Sequence, residues 1–258
     1  MKHSVVSALL ILLGAGLALA QAPAPLTRVM PLYPLRALDR GIEGWVELSF
    51  TILPDGTTAD IAVTDAYPKG TFDKPAKAAL AKWTYAPADA PRPQMRVLMP
   101  FGLLSAGSVR GEVNDKITAA LKAITDQRHA EADALLTELS KIEGLTLAEY
   151  ALFERARGIA RFSAGQHAEA AVSFERAMRL FGAKLNPEPR AAWARLLVMA
   201  RVNAGQFADA VADFDQWGLA EASVAQDIAP TIAQIRTALA AGEDVSTDAA
   251  SVSAGPPK

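Results

Sequence analysis

Apolar and polar positions alternate through "GWVELSFTILPDGTTADIAV", residues 44–63. Val46, Leu48, Phe50 and Ile52 share one face of an extended chain, and Glu47, Ser49 and Thr51 share the other. That is a strand with one dry side and one wet side. "LPDG" interrupts it as a turn. Pro54 presets φ, Asp55 tolerates the next position, and Gly56 takes the place that needs φ > 0. Ala59, Ile61 and Val63 then begin a second strand, predicted to pair antiparallel with the first. In "TFDKPAKAALAKWTYAP" the period becomes helical. Phe72, Ala76, Leu80 and Trp83 form a stripe predicted to lie on the dry face of the hairpin. Asp73 is the predicted N-cap, and Pro75 sits early, where its missing N–H costs nothing. "MRVLMPFGLL", Met95–Leu104, reads as a third strand, and Pro100 within it points to an edge position. The order is β-β-α-β, preceded by a short helix or turn predicted at "YPLRALDRG".

Beyond Gly107, Ala, Leu, Glu and Arg dominate, and the period moves towards 3.6. "SAGSVRG", Ser105–Gly111, reads as a linker. "RHAEADALL" (128–136), "QHAEAAVSF" (166–174) and "QFADAVADF" (206–214) align with one another, each after a helical stretch. Ala170 with Phe174, and Ala210 with Phe214, let two helices approach closely and fill the next gap. Gly158 and Gly205 fall at further small positions. The pattern resembles tetratricopeptide repeats, one helix–turn–helix per unit. A last helix near Val224–Ala241, with Pro230 starting its main part, is expected to cap the stack. The predicted fold is α+β: a small β-β-α-β module over residues 23–106, then an all-α tetratricopeptide-like module over 112–242.

The two ends differ from this body. "MKHSVVSALLILLGAGLALAQAPA" has Lys2, an apolar run Val5–Ala20, and small residues at Ala18, Ala20 and Ala22. It predicts a signal peptide over 1–22, cleaved after Ala20 or Ala22, with an uncleaved anchor as the alternative. Residues 243–258 are small and polar without periodicity and are expected to be disordered. The formal charge of −2 over 258 residues gives no reason to expect nucleic acid or an anionic membrane as partner. Cysteine is absent, which excludes disulfides, thiolate metal sites and a thiol nucleophile.

The stretch from "PLYPLRALDRGIEGWVELSF" to "FDKPAKAALAKWTYAPA" resembles the C-terminal domain of the TonB family. The matching features are "YP" with Ala37 three residues after Pro34, "GIEGxVxLxF", "PDG", and the "FD…A…AL…W…YxP" helix, in that order. The likeness covers about 80 residues, Pro23 to Leu104. It implies a periplasmic module that contacts a segment of an outer-membrane receptor by strand addition. The implied edge is the third strand, with Arg96, Val97, Leu98, Met99 and Phe101 as partner-binding residues. An open edge carries unpaired N–H and C=O groups that an extended peptide can take up. Trp45 has wet-face parity and is a further partner-contact candidate, or packs on the N-terminal segment. Arg96 reads either as a recognition residue or as a charge that blunts the edge. The roughly ten residues between Ala20 and Pro31 reach about 35 Å at most, too short to cross an envelope, so binding is expected rather than force transmission.

Candidate chemistry is thin. His129 and His167 occupy the repeat position that holds Phe207 and read as packing residues. Asp209, Asp213 and Asp215 read as a solvated acidic face. No GxSxG, GxGxxG or GxxxxGK[ST] occurs. No catalytic residue, metal site or cofactor is expected. The expected function is a periplasmic, non-enzymatic adaptor holding protein or peptide partners, serving outer-membrane transport or envelope assembly. The alternative is an inner-membrane-anchored TonB-type energy transducer. Membrane contact is expected only through partners or an uncleaved N-terminal helix.

Overall fold

The computed structural model describes residues 23–103 and 109–242. The expected signal (1–22), most of the linker and the tail (243–258) lie outside the described residues. A short helix α1 (Leu35–Asp39) leads into β1 (Gly44–Ile52) and β2 (Thr58–Tyr67), then α2 (Asp73–Leu80) and β3 (Arg92–Phe101). The sheet is antiparallel with order β2-β1-β3, so β1 is central. Trp45 on β1 stands opposite Tyr67 on one side and Pro100 on the other.

The turn forms as its residues dictate. Gly56 has φ of +85° and its N–H donates to the Leu53 carbonyl at 2.9 Å. The alternation also holds: Val46, Leu48, Phe50 and Ile52 are buried with Phe72, Ala76, Leu80 and Trp83 in one core. Asp73 differs from expectation. It is the first helical residue of α2, and the capping position belongs to Phe72, which makes no side-chain cap. An acid there still faces the positive end of the helix dipole. The N-terminal segment is tied on by a Thr27–Thr84 bridge and by Trp83 Nε1 donating to the Val29 carbonyl at 2.8 Å.

After β3 come α3 (Gly111–Thr125), α4 (His129–Ser140), α5 (Leu147–Ser163) and α6 (His167–Phe181). They are followed by α7 (Pro187–Asn203), α8 (Phe207–Gln216) and α9 (Ala229–Ala241). The sequence offsets reappear in the backbone. His129, His167 and Phe207 are the first residues of α4, α6 and α8. Two residues earlier stand Gln127, Gly165 and Gly205, all left-handed, with φ of 58°, 75° and 72°. Gly158 on α5 leaves room for α6: a Cβ there would meet the Phe174 ring at 2.5 Å. Pro230 starts α9, and Ser223–Ala225 forms a 3-10 turn ahead of it.

The second face of the sheet is not wet. Trp45, fully buried, and Leu98 join the core of α5–α9. The Tyr67 hydroxyl accepts from the Leu145 N–H at 2.8 Å and donates to the Ile142 carbonyl at 3.2 Å, in the α4–α5 connection. Glu43, also buried, accepts from the N–H of Leu103 at 2.8 Å and from that of Leu147 at 2.9 Å. A carboxylate at the first residue of α5 meets free amide donors and the positive dipole end together. The sheet is thus the middle layer of three, between α2 and the α5–α6 pair.

Candidate functional site

β3 is an edge strand. Among the described residues no strand lies outside it, and no backbone hydrogen bond reaches residues 92–101 from outside the sheet. Pro93 and Pro100 bound it, and Gln94 at φ 57° breaks the register near its start. The regular stretch is Met95–Met99, about 17 Å of main chain. The other edge, β2, is less regular. Its pairing with β1 slips twice, and Asp60 there has φ of 53°. Bulges of that kind spoil an edge for strand pairing.

The expected partner-binding side chains are mostly turned inward. Met99 and Phe101 are buried in the core with α2, and Val97 packs partly against it. Phe101 stacks on Phe72 at 4.3 Å between ring centroids, with Tyr33 edge-on to both. Burial pushes the Tyr33 hydroxyl up to about 12, helped by nearby Glu43. Leu98 is buried on the opposite side, against the helices. What β3 offers outward is main chain, whereas its side chains fix the strand in place.

Trp45 requires a correction. It neither faces a partner nor packs on the N-terminal segment. Its ring lies edge-on to Tyr150 of α5 at 5.5 Å, with the Arg176 guanidinium 4.6 Å above it. A large aromatic ring on the polar side of a strand is stable there because the helical module supplies the second wall.

Arg96 is held rather than free. It pairs with Glu47 at 3.2 Å and lies 3.9 Å from Glu175 of α6. These pairs continue in two branches. Arg176 joins Glu47 (3.3 Å) and Asp65 (3.0 Å) to Glu154 (3.2 Å), which also holds Arg157. Glu175 pairs with Arg179 (2.8 Å) and Arg201 (2.7 Å), and Arg201 reaches Asp213 (3.1 Å) on α8. Burial pushes Glu175 up, but Arg179, Arg201 and Arg96 together bring it below the usual carboxylate range. Asp213 behaves oppositely. Burial pushes it up to about 6, because it shares one guanidinium with the closer Glu175. The acidic face expected from Asp209, Asp213 and Asp215 is therefore solvated only in part: Asp213 is buried.

Sequence reasoning missed this network. Two signals were present: a tryptophan among the polar positions of β1, and Glu175-Arg176 in the second unit. The aligned positions of the other units hold Thr137-Glu138 and Asp215-Gln216. Of the two histidines expected to pack, His129 is exposed and His167 is half-buried. The His167 ring lies edge-on to Phe162 at 4.9 Å. Among the described residues no His, Asp and Glu group is arranged to hold a metal ion.

Residues 29–101 match the family model for the Gram-negative bacterial TonB protein C-terminal, and this segment is a TonB C-terminal domain. The chain is similar to "Protein TonB" of Pseudomonas aeruginosa, 44% identical over 63 residues, 24% of this chain and 18% of that protein. To "Protein TonB" of Escherichia coli K12 it is 37% identical over 68 residues, 26% of this chain and 28% of that protein. The chain thus spans less than a third of the length of these relatives. The solution NMR structure of the Pseudomonas aeruginosa TonB CTD aligns over 34% of this chain and 89% of its own, at 34% identity and a TM-score of 0.29. The TonB2 protein of Vibrio anguillarum aligns over 39% and 96%, at 41% identity and a TM-score of 0.28.

Proposed function

We propose that this chain is a periplasmic, non-enzymatic adaptor that captures an extended segment of a partner on β3 and holds a second protein on its helices. One observation carries the reading: an edge strand inside a TonB C-terminal domain, free on its outer side among the described residues. Strand addition takes its affinity from main-chain hydrogen bonds, and Met95–Met99 supplies that main chain without proline. The partner fitting this edge is a periplasm-facing segment of an outer-membrane transport or assembly protein. The helical module reads as three tetratricopeptide-like units, α3–α4, α5–α6 and α7–α8, capped by α9. Between α4 and α5 it has a groove of about 410 Å³ lined in part by Asp133, Phe153, Arg157 and Arg161, a place for an extended segment.

The test is amide hydrogen exchange with synthetic peptides from the periplasm-facing segments of outer-membrane receptors. Binding should slow exchange at amides within Met95–Met99, and the same peptide N-methylated on alternate residues should bind at least tenfold more weakly. Binding that leaves those amides unchanged, or that tolerates N-methylation, would sink the reading.

A further inference from the structure

Among the described residues, large exposed apolar side chains concentrate in the N-terminal segment. Leu26, Met30, Leu32, Leu35 and Leu38 are 71%, 67%, 85%, 74% and 47% exposed. Thirteen residues of chain carry all five. Leu35 and Leu38 lie three apart on α1, which turns Ala37 inward and leaves both leucines out. Met30 and Leu32 border a shallow groove of about 460 Å³ whose other wall is α2, through Lys74, Pro75, Ala78 and Lys82. Scattered exposed leucines need no explanation, but a contiguous set rimmed by charge marks an interaction surface.

The rim is basic. Residues 26–40 and 73–82 carry Arg28, Arg36, Arg40, Lys74, Lys77 and Lys82 against Asp39 and Asp73. All six basic residues are exposed. Arg28 lies 5.2 Å above the Trp83 ring, and among the described residues none of the six forms a salt bridge. This excess sits on a chain whose formal charge is −2. The net charge therefore conceals a face of opposite sign, contrary to the expectation drawn from composition.

We infer that this face, Leu26–Leu38 with the outer side of α2, docks on the surface of an anionic lipid bilayer. Three observations favour a bilayer over a protein groove-filler. Side chains more than two-thirds exposed project outward, which suits insertion below headgroups. Exposed basic residues lie on the same two segments, and anionic headgroups would complement their charge. The apolar run Val5–Ala20 also ends six residues before Leu26, a reach of about 20 Å when extended. A chain that keeps that run carries this face at the bilayer, and one that loses it still has the face. The inference does not depend on strand addition at β3.

The test uses the full chain and the form beginning at Gln21, since among the described residues every buried apolar residue lies between Ala37 and Ile235. Each is sedimented with phosphatidylglycerol/phosphatidylethanolamine vesicles and with neutral phosphatidylcholine vesicles. The Gln21 form should bind the anionic vesicles at least fivefold more than the neutral ones. L32D/L35D, and separately K74E/K82E, should each cut that binding at least fivefold while leaving the melting temperature and peptide capture at β3 unchanged. The inference is overturned if the Gln21 form does not bind, binds both vesicles equally, or is unaffected by either double variant. Lipid-free self-association that disappears in L32D/L35D would also overturn it, by making the face a protein contact.

Discussion

At the level of single residues, the tightest constraint is Gly158. A Cβ there would meet the Phe174 ring at 2.5 Å, so Gly158→Ala should cost about 1–3 kcal/mol in urea denaturation. Adding Phe174→Leu should recover part of the loss if the clash is its cause. The left-handed triplet makes a second prediction. Gly165→Ala and Gly205→Ala should each cost about 1–2 kcal/mol, whereas Gln127→Gly, at the equivalent bend, should cost nothing or stabilise. Asp213 sets a pH dependence. Burial raises it to about 6, so the folded state holds this proton more tightly than the unfolded chain does. Its contribution is then fully present below pH 4 and lost as pH rises through 6. Asp213→Asn should remove that downward slope from the stability–pH curve measured by thermal melts. An unchanged slope would mean that Arg201 keeps Asp213 ionised throughout.

At the level of elements, the seam between sheet and helices carries the sharpest expectations. Trp45→Ala should cost about 3–5 kcal/mol. Trp45→Phe should cost less, since the Trp45 indole N–H is buried without an acceptor. Glu149 fixes the start of α5. It closes the Thr146 capping box and takes the Arg110 N–H, Nε and Nη2 at 2.7–2.8 Å. Burial pushes its carboxyl up, but those hydrogen bonds prevail and hold it below the usual range. Its contribution is therefore present above the ordinary carboxylate pKa and lost as pH falls, opposite to Asp213.

The hairpin, its turn and α2 were legible in the sequence because burial on one side writes a period of two, or of 3.6, into apolar positions. The helix starts after Arg128, Gln166 and Gln206 were legible because the same local geometry is repeated. The seam was not. A strand face that meets another module through Glu47, Asp65 and Arg96 has the same polar signature as one that meets water. The docking side of β3 is illegible for a related reason: main-chain groups are the same at every residue.

At the level of the molecule, the fate of residues 1–22 decides between adaptor and anchored transducer. Secretion into the periplasm followed by N-terminal sequencing should give a start at Gln21 or Pro23. A retained Met1 or Lys2 would favour the anchored form.

The sealed seam also governs how this protein can be taken apart. Cut after Leu103, the first 81 described residues would expose Trp45, Tyr67 and Leu98 at once, with Glu175 and Arg176, the helix-side partners of Arg96 and Glu47, gone. Such a fragment carries a raw greasy scar across half its sheet and should clump or bind indiscriminately. A truncation of this kind would report the chemistry of the wound and not that of the native edge.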